Sequence, residues 1–481
     1  MTRKLKELTR GLLNTDNMPD LAISGLNINS NYICKGDLFI AIRGNKQDGH
    51  DFIHDAIANG AAAILSNGRD LGVLGVPQIK VANPRRAASI VASEFYGHPS
   101  KDLQIIGITG TNGKTTTASI LSSILSNAGK KTAQIGTLGV LADGFDQIKS
   151  LTTPDSISIH RIFSELKDAN YSHVIMEVSS HALDQYRVSD VDFNMAIFTN
   201  LTPEHLDYHG TMESYFQSKA KLFRMLKLDS TAIINISDPN GIRIKEETHA
   251  TILNYSKDNR SSIHYQGLKT GIDGISGLIK AGNEIYDIES HLIGEFNSEN
   301  ILAAVTAAHA LGIRKKNIEK GIKTCLSIPG RMESFKLKNG ASAVIDYAHT
   351  PDAYDKVLGS IKQISKKSAR ILVVFGAGGD RDHKKRIKMG RIAELHSNYC
   401  YITPDNPRTE DPEDIAKELS SGFYSDQYTV FDDRALGLKA ALSQSTKGDV
   451  VVVLGKGREE FQDIMGEKMF YSDLNIIQDF Q

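Results

Sequence analysis

What this sequence has little of narrows it before any motif is read. Its 481 residues hold three cysteines, Cys34, Cys325 and Cys400, far apart and in no C-x-x-C pair. Such spacing argues against a disulfide framework or a cysteine zinc site and fits a reducing compartment. Net charge is almost absent: 56 Lys and Arg stand against 57 Asp and Glu, a formal charge of -1. No global field therefore draws the chain to nucleic acid or to a membrane surface. No apolar run reaches the roughly 18 residues that a membrane span needs. The first stretch, "MTRKLKELTRGLL", is charged and lacks the apolar segment of a secretory signal. Neither a nucleophile elbow nor a Ser/His/Asp arrangement is visible. What remains is a cytoplasmic enzyme or binding protein, 40% hydrophobic and so able to build a packed core.

At roughly 100–200 residues per domain, the length suggests two to four domains. Residues 1–100 alternate short apolar runs ("DLFIAI", "AAAIL") with helical stretches ("FIHDAIANG"), a small α/β unit. "YGHPSKDL" (Tyr96–Leu103), polar with Pro and Gly, reads as a linker. The strand "QIIGITG" follows, then "TTTASILSSILSNAG", which has helical apolar spacing and Gly129 where a C-cap belongs. Buried-strand runs recur at "HVIMEV", "MAIFTNL" and "TAIINI". Strands alternating with helices predict a parallel sheet covered on both faces. "GEFNSENILAAVTAAHALG" reads as a loop and a long helix, and "IPGRME" (Ile328–Glu333) as a turn-rich seam. Beyond it the alternation restarts with "SAVIDYA", "ARILVVFGAGG", "YCYITPDN" and "DVVVVLGKG", a second doubly wound, Rossmann-like unit. The expected fold is α/β in three domains, 1–100, 101–330 and 331–481. "RDHKKRIK" (Arg381–Lys388), taken alone, is the solvated start of a helix.

"GITGTNGKTTT" (Gly107–Thr117) lies between a buried strand and a helix, where a phosphate loop belongs. Gly110 and Gly113 let backbone N–H groups approach an anion, and the helix N-terminus adds partial positive charge. Lys114 would reach the β- and γ-phosphates of ATP, and Thr115 would ligate Mg²⁺. The ordinary G-x-x-x-x-G-K-[ST] loop, however, requires Gly where this chain has Ile108. Glu177, at the carboxyl end of "HVIME", is placed either as a Mg²⁺ ligand or as a buried carboxylate paired with a lysine. His205, Asp207 and His209 crowd one loop, compatible with a metal site or with three structural side chains. Lys219 lies on an amphipathic helix, where a solvated lysine is the plainer reading. Phosphates, Mg²⁺ and carboxylate or histidine ligands together point to phosphoryl transfer. Further on, "TPDNPRTEDP" sets Asp405, Asn406 and Arg408 just past a strand. Arg suits a carboxylate and Asp an ammonium, so the cluster fits a zwitterionic amino acid, or else an Asx-turn stiffened by Pro407.

In order along the chain, "KGDLFIAIRGNKQDGHDF", "GTNGKTTT", "TTPDS", "EVSSHALDQYRV", "HLDYHGTMESY", "GEFNSENILAA", "PGRME", "DYAHTPDA", "GAGGDRD", "DNPRTEDP" and "GKGRE" resemble the Mur ligases, ATP-dependent amide-forming enzymes of peptidoglycan synthesis. The short G-T-N-G-K-T loop is the form that family uses. The similarity is greatest to the members that add the third residue of the stem peptide. It implies a first domain for the UDP moiety, a second for ATP and a third for the incoming amino acid. ATP would phosphorylate the D-Glu carboxylate of UDP-MurNAc-L-Ala-D-Glu, and the amine would displace phosphate from the acyl phosphate. The resemblance assigns Gly110, Thr111, Asn112, Gly113, Lys114, Thr115, Thr116, Asn300, Arg331 and Asp346 to ATP. It assigns Thr115 and Glu177 to one Mg²⁺, and Lys219, as a carbamate, with His205 to a second. Lys114, Glu177, His205 and Lys219 form the catalytic set. Ser30, Asn45, Lys46 and Gln47 would meet the uridine end, and Thr152, Thr153, Ser179, Gln185 and Arg187 the MurNAc-dipeptide. Arg386, Asp405, Asn406, Pro407, Arg408, Gly455 and Glu459 would hold meso-diaminopimelate, with Arg408 on its distal carboxylate. L-lysine as the added residue, a folylpolyglutamate synthetase and a non-catalytic nucleotide-binding scaffold are the alternatives. A monomer is expected, with no nucleic-acid partner and no membrane insertion. Two departures stand out: Asn29, Ser30 and Asn31 replace a common D-S-R, and Arg458 replaces a common His.

Overall fold

The run "QIIGIT" forms the strand Gln104–Thr109, and its side chains alternate between two buried faces. Ile106 and Ile108 join Leu121, Ile124 and Ala303 on one face; Ile105 joins Val174, Phe163 and Phe216 on the other. A strand buried on both faces needs an unbroken apolar run, which is what the sequence supplies. The computed structural model describes residues 1–12, 19–44, 47–145, 151–271 and 274–481. The central sheet has ten strands. Thr132–Gly136, His173–Glu177, Gln104–Thr109, Met195–Phe198, Thr231–Asn235 and Thr251–Ser256 run parallel side by side. The helices Lys114–Asn127 and Phe296–Ala310 cover one face, Ser156–Asp168 and Met212–Arg224 the other.

The purely parallel expectation needs correcting at both edges. Ile263–Gly271, Gly274–Ala281 and Glu284–Ser290 form an antiparallel extension, and Gly139–Leu141 folds back antiparallel on Thr132–Gly136. Their residues alternate between buried and exposed, as strands wet on one face do, so they carry no continuous apolar run.

A parallel four-stranded sheet, Gly25–Asn27, Asp37–Ile40, Ala63–Ser66 and Gln78–Lys80, precedes this unit. A six-stranded sheet follows it, in the order Glu333–Lys336, Ser342–Asp346, Val450–Leu454, Ile371–Phe375, Tyr399–Ile402, Tyr428–Val430. Only its first strand is antiparallel to its neighbour. The architecture is therefore α/β in three sheet-centred units. The stretch read as a linker is a packed turn: Pro99 and Ser100 are buried, and Ser100 Oγ accepts the Asp192 N–H at 3.1 Å. On the helix Ser156–Asp168, His160 is fully buried, and among the described residues neither ring nitrogen has a hydrogen-bond partner.

Candidate active site

Gly113, at φ +86°, delivers the chain into the helix Lys114–Asn127, and Gly110 takes φ +153°. A Cβ at Gly110 would strike Thr199 Oγ1, and one at Gly113 would strike Asn300 Oδ1, so both positions require glycine. The loop is fastened from the next strand. Asn200 accepts the N–H groups of Thr111 and Asn112 at 2.9 Å, through its carbonyl and its Oδ1 respectively. Thr199 Oγ1 donates to the Asn112 carbonyl at 2.7 Å. Nothing in the sequence assigned that task to Thr199 and Asn200.

Lys114 Nζ curls back to the carbonyls of Gly110 and Thr111, both at 2.8 Å. Lys219 Nζ reaches the same Gly110 carbonyl at 2.8 Å from the helix Met212–Arg224. The solvated reading of Lys219 is thus overturned: the residue is 2% exposed. Burial pushes the pKa of both lysines down, most strongly for Lys219, where the charge of Lys114 adds to it. Thr115 Oγ1 donates to Glu177 Oε2 at 3.0 Å, and Glu177 also accepts the Thr137 N–H and hydroxyl at 3.0 and 3.1 Å. Glu177 is buried with hydroxyl and amide partners, not with a lysine.

The trio His205, Asp207 and His209 does not converge. Asp207 is exposed, and His209 turns to Ser180 Oγ at 3.0 Å and Ser218 Oγ at 3.4 Å. Among the described residues no three His, Cys, Asp or Glu side chains are placed to share a metal ion. His205, in the left-handed region at φ +56°, instead meets the His181 ring at 4.7 Å and Glu204 Oε1 at 3.7 Å. Burial lowers the His205 pKa to about 4 against the pull of Glu204, leaving a neutral ring. Burial alone would raise the Glu204 carboxyl. The hydrogen bond from His349 Nε2 at 3.1 Å and the charges of His349 and Lys114 outweigh it and hold the group well below the usual carboxylate range. Glu204 and His181 carried no signal of their own in the sequence.

A cavity of about 460 Å³ opens between the central and C-terminal units. Asn112, Gly113, Thr115, Thr116, Asn300, Arg331 and Asp346, all expected at the nucleotide, line it together. Gly110, Thr111 and Lys114 are not part of this lining. Arg331 Nη2 donates to Thr115 Oγ1 at 3.3 Å and its guanidinium lies 4.8 Å from the Tyr347 ring centre. Burial raises the Asp346 carboxyl, although it accepts the Met332 and Ala348 N–H groups at 2.8 and 2.7 Å. Lys257, Glu295 and Glu299 extend the lining and were not anticipated.

A second cavity of about 300 Å³ brings Gln185 and Arg187 together with Arg85 and Arg161, two cations outside any motif. Gln185 Oε1 accepts from Arg187 Nη2 at 2.8 Å and from Arg85 Nη1 at 3.3 Å, and Arg187 Nη1 donates to the Thr153 carbonyl at 2.7 Å. Thr153 Oγ1 donates to the Glu177 carbonyl at 2.9 Å and lies 3.3 Å from Ser179 Oγ. Thr152 Oγ1 lies 3.3 Å from Thr137 Oγ1. These residues form one connected set beside the glycine loop. Ser30 is buried in the N-terminal unit, where its carbonyl accepts from Asn59 at 2.9 Å; Gln47 is exposed. Asn45 and Lys46 lie outside the described residues.

In the C-terminal unit Arg386 is fully buried, which corrects the solvated reading of its charge run. Glu410 holds it at 2.8 and 3.0 Å, Glu418 at 2.9 Å, and it donates to the Gly378 carbonyl at 3.1 Å. Arg408, at φ +55°, makes no ion pair among the described residues and donates to the Gly379 carbonyl. Its own N–H and carbonyl bond Asp463 and Met465 of the hairpin Phe461–Ile464/Glu467–Phe470. Asn406 donates to Glu459 Oε2 at 2.9 Å, and the buried Lys456 Nζ bonds both Asn406 Oδ1 at 3.0 Å and Glu459 Oε2 at 2.9 Å. Gly455 (φ +108°) packs so close to Asp405 that a Cβ would strike its carboxylate, and the Pro407 carbonyl accepts the Glu410 N–H at 3.1 Å. Lys456 was the residue missed here.

Comparison with known proteins bears on this geometry. The descriptions "Mur ligase family, catalytic domain", "Mur ligase middle domain" and "Mur ligase, glutamate ligase domain" match residues 22–96, 108–308 and 330–457. A UDP-N-acetylmuramoyl-L-alanyl-D-glutamate--2,6-diaminopimelate ligase of Aquifex aeolicus is 40% identical over 458 residues, 95% of this chain and 93% of its own. One of Clostridioides difficile is 38% identical over 480 residues, 98% of each chain. A solved structure of a ligase of that name superposes with a TM-score of 0.70 at 30% identity, covering 100% of this chain and 98% of its own.

Proposed function

The chain belongs to the Mur ligase family, and from that premise we propose that it joins meso-diaminopimelate to UDP-MurNAc-L-Ala-D-Glu at the expense of ATP. Residues 1–100 would take the uridine end, 101–330 the ATP and 331–481 the amino acid, in a cytoplasmic monomer. The observation that carries this reading is the pair Lys114, half-buried, and Lys219, buried, two amines on one carbonyl with no carboxylate in ion-pair range among the described residues, beside the 460 Å³ cavity. Lys114 has its charge unneutralised there and so favours an anion, while Lys219, whose pKa burial lowers most strongly, is the amine a carbamate would convert.

In this assignment Lys114 leaves the Gly110 and Thr111 carbonyls to hold the β- and γ-phosphates of ATP. The N–H groups at the start of the helix Lys114–Asn127 support the same charge. Gln185, Arg187 and Arg85 orient the dipeptide so that its terminal carboxylate faces the phosphate loop. That carboxylate oxygen attacks the γ-phosphorus, ADP leaves, and the acyl phosphate forms. The neutral amine of the third amino acid then attacks the acyl carbon; the C–N bond forms, the C–OP bond breaks, phosphate carries away the electron pair, and the proton lost from nitrogen passes to the departing phosphate. Mg²⁺ would neutralise phosphate oxygens. Thr115 and Glu177 offer the oxygen donors this hard cation prefers, and neutral His205 a nitrogen, whereas Lys219 fits only once a carbamate has converted its ammonium to an oxygen ligand. For the amino acid, Arg408 has no carboxylate partner among the described residues, while Arg386 is already occupied by Glu410 and Glu418.

Phosphate release with UDP-MurNAc-L-Ala-D-Glu, offering meso-diaminopimelate and L-lysine in turn, tests the reading. A site built around a distal carboxylate should prefer meso-diaminopimelate by roughly 10⁴-fold in kcat/KM. Comparable use of lysine would overturn the choice of amino acid, and silence with both would overturn the activity.

A further inference from the structure

The seam between the central and C-terminal units is a turn that needs holding. Within Ile328–Glu333, Gly330 takes φ +67° and Met332 φ +46°, the latter unfavourable for a side chain. Yet this turn carries Arg331, whose guanidinium lines the large cavity and donates to Thr115. Asp346 and Tyr347 hold the turn locally, and a further clamp reaches it from 125 residues away. Arg458 clamps Glu333 with two parallel bonds, Nε to Oε2 at 2.8 Å and Nη2 to Oε1, and Glu333 Oε2 also accepts the Gly330 N–H at 2.8 Å. Glu333 is 7% exposed, so the pair is poorly screened. The Tyr347 ring is closely approached by Gly330 and Gly457: a Cβ on either would strike it. That ring is the one beneath Arg331.

We propose that Arg458 is a positioning residue for the nucleotide: through Glu333 and Gly330 it holds the turn that presents Arg331 to the cavity. The proposal rests on the cavity being the ATP site. Arg458 itself lies outside the cavity lining and acts only through this relay. A planar guanidinium suits the task because it locks both carboxylate oxygens at once, which an ammonium cannot.

Affinity for a non-hydrolysable ATP analogue, measured by calorimetry on the full-length protein, tests it without relying on turnover. Arg458→Ala should weaken binding about 10-fold, and Arg458→Lys, which keeps the charge but not the fork, about threefold. In an Arg331→Ala background Arg458→Ala should add less than about twofold, since its effect runs through the missing side chain. A role confined to stability would lower the melting temperature equally in both backgrounds and leave analogue affinity alone. Wild-type affinity in Arg458→Ala, or effects of the two changes that multiply, would overturn the proposal. If Arg458→Ala does not fold, Glu333→Gln carries the same criteria. Failure of the wild type to bind the analogue would overturn the nucleotide site itself, and this inference with it.

Discussion

Lys114 and Lys219 in the central unit bond only backbone carbonyls, whereas Arg386 and Arg434 in the C-terminal unit are clamped by carboxylates: Arg386 by Glu410 and Glu418, Arg434 by both oxygens of Asp473 at 3.0 and 2.9 Å. Lys219, Arg386 and Arg434 are withdrawn from water to a similar degree, and Lys114 is half-buried. Leaving a buried charge unpaired costs several kcal/mol by general experience, so a fold keeps one where an anion will arrive. The arginines are instead struts whose anions are built in. Arg408 sits in the C-terminal unit but sides with the lysines, having a carbonyl partner and no carboxylate among the described residues.

The comparison breaks most visibly at Lys219. Lys219→Ala should lower kcat by about 10³-fold or more, on the scale of losing a metal ligand at a phosphoryl-transfer site. Bicarbonate or a small carboxylic acid should restore part of it, and an active Lys219→Ala enzyme would place the lysine with the struts. Next is Arg408→Ala, for which kcat/KM with meso-diaminopimelate should fall about 10²-fold while the weak use of lysine stays put. An equal fall for both amino acids would mean that Arg408 only holds its loop. The smallest change is Glu418→Gln. Glu418 is 37% exposed and Glu410 remains on Arg386, so a stability loss of about 1 kcal/mol is expected by chemical denaturation, with phosphate release nearly unchanged.

The sequence announced what is local. "GTNGKTTT" needs its glycines for contacts with Thr199 and Asn300, and a glycine-rich turn between strand and helix is visible as such. The buried parallel strands were equally plain as apolar runs, unlike the antiparallel edge whose residues alternate. What stayed hidden depends on partners distant along the chain. "RDHKKRIK" looks solvated because the carboxylates that bury Arg386 come 24 and 32 residues later. Asn112 bonds Asp352 across 240 residues, and Glu204 meets His349 across 145. The three candidate ligands at 205, 207 and 209 misled for the same reason: proximity in sequence gave no common direction on a short helical turn.

His160, whose ring has no hydrogen-bond partner among the described residues, makes the fold a proton-linked equilibrium. Burial, with the charge of His98, lowers its pKa from 6.5 to about 4, so the folded chain refuses a proton that the unfolded chain accepts. The resulting stability is complete above pH 6.5 and drains away as the pH falls through 4, an amount of about 3 kcal/mol. His160→Leu should flatten that limb of the folding free energy between pH 7 and pH 4. One buried ring thus makes the folding free energy fall toward acid, at a position that touches neither of the lysines on Gly110.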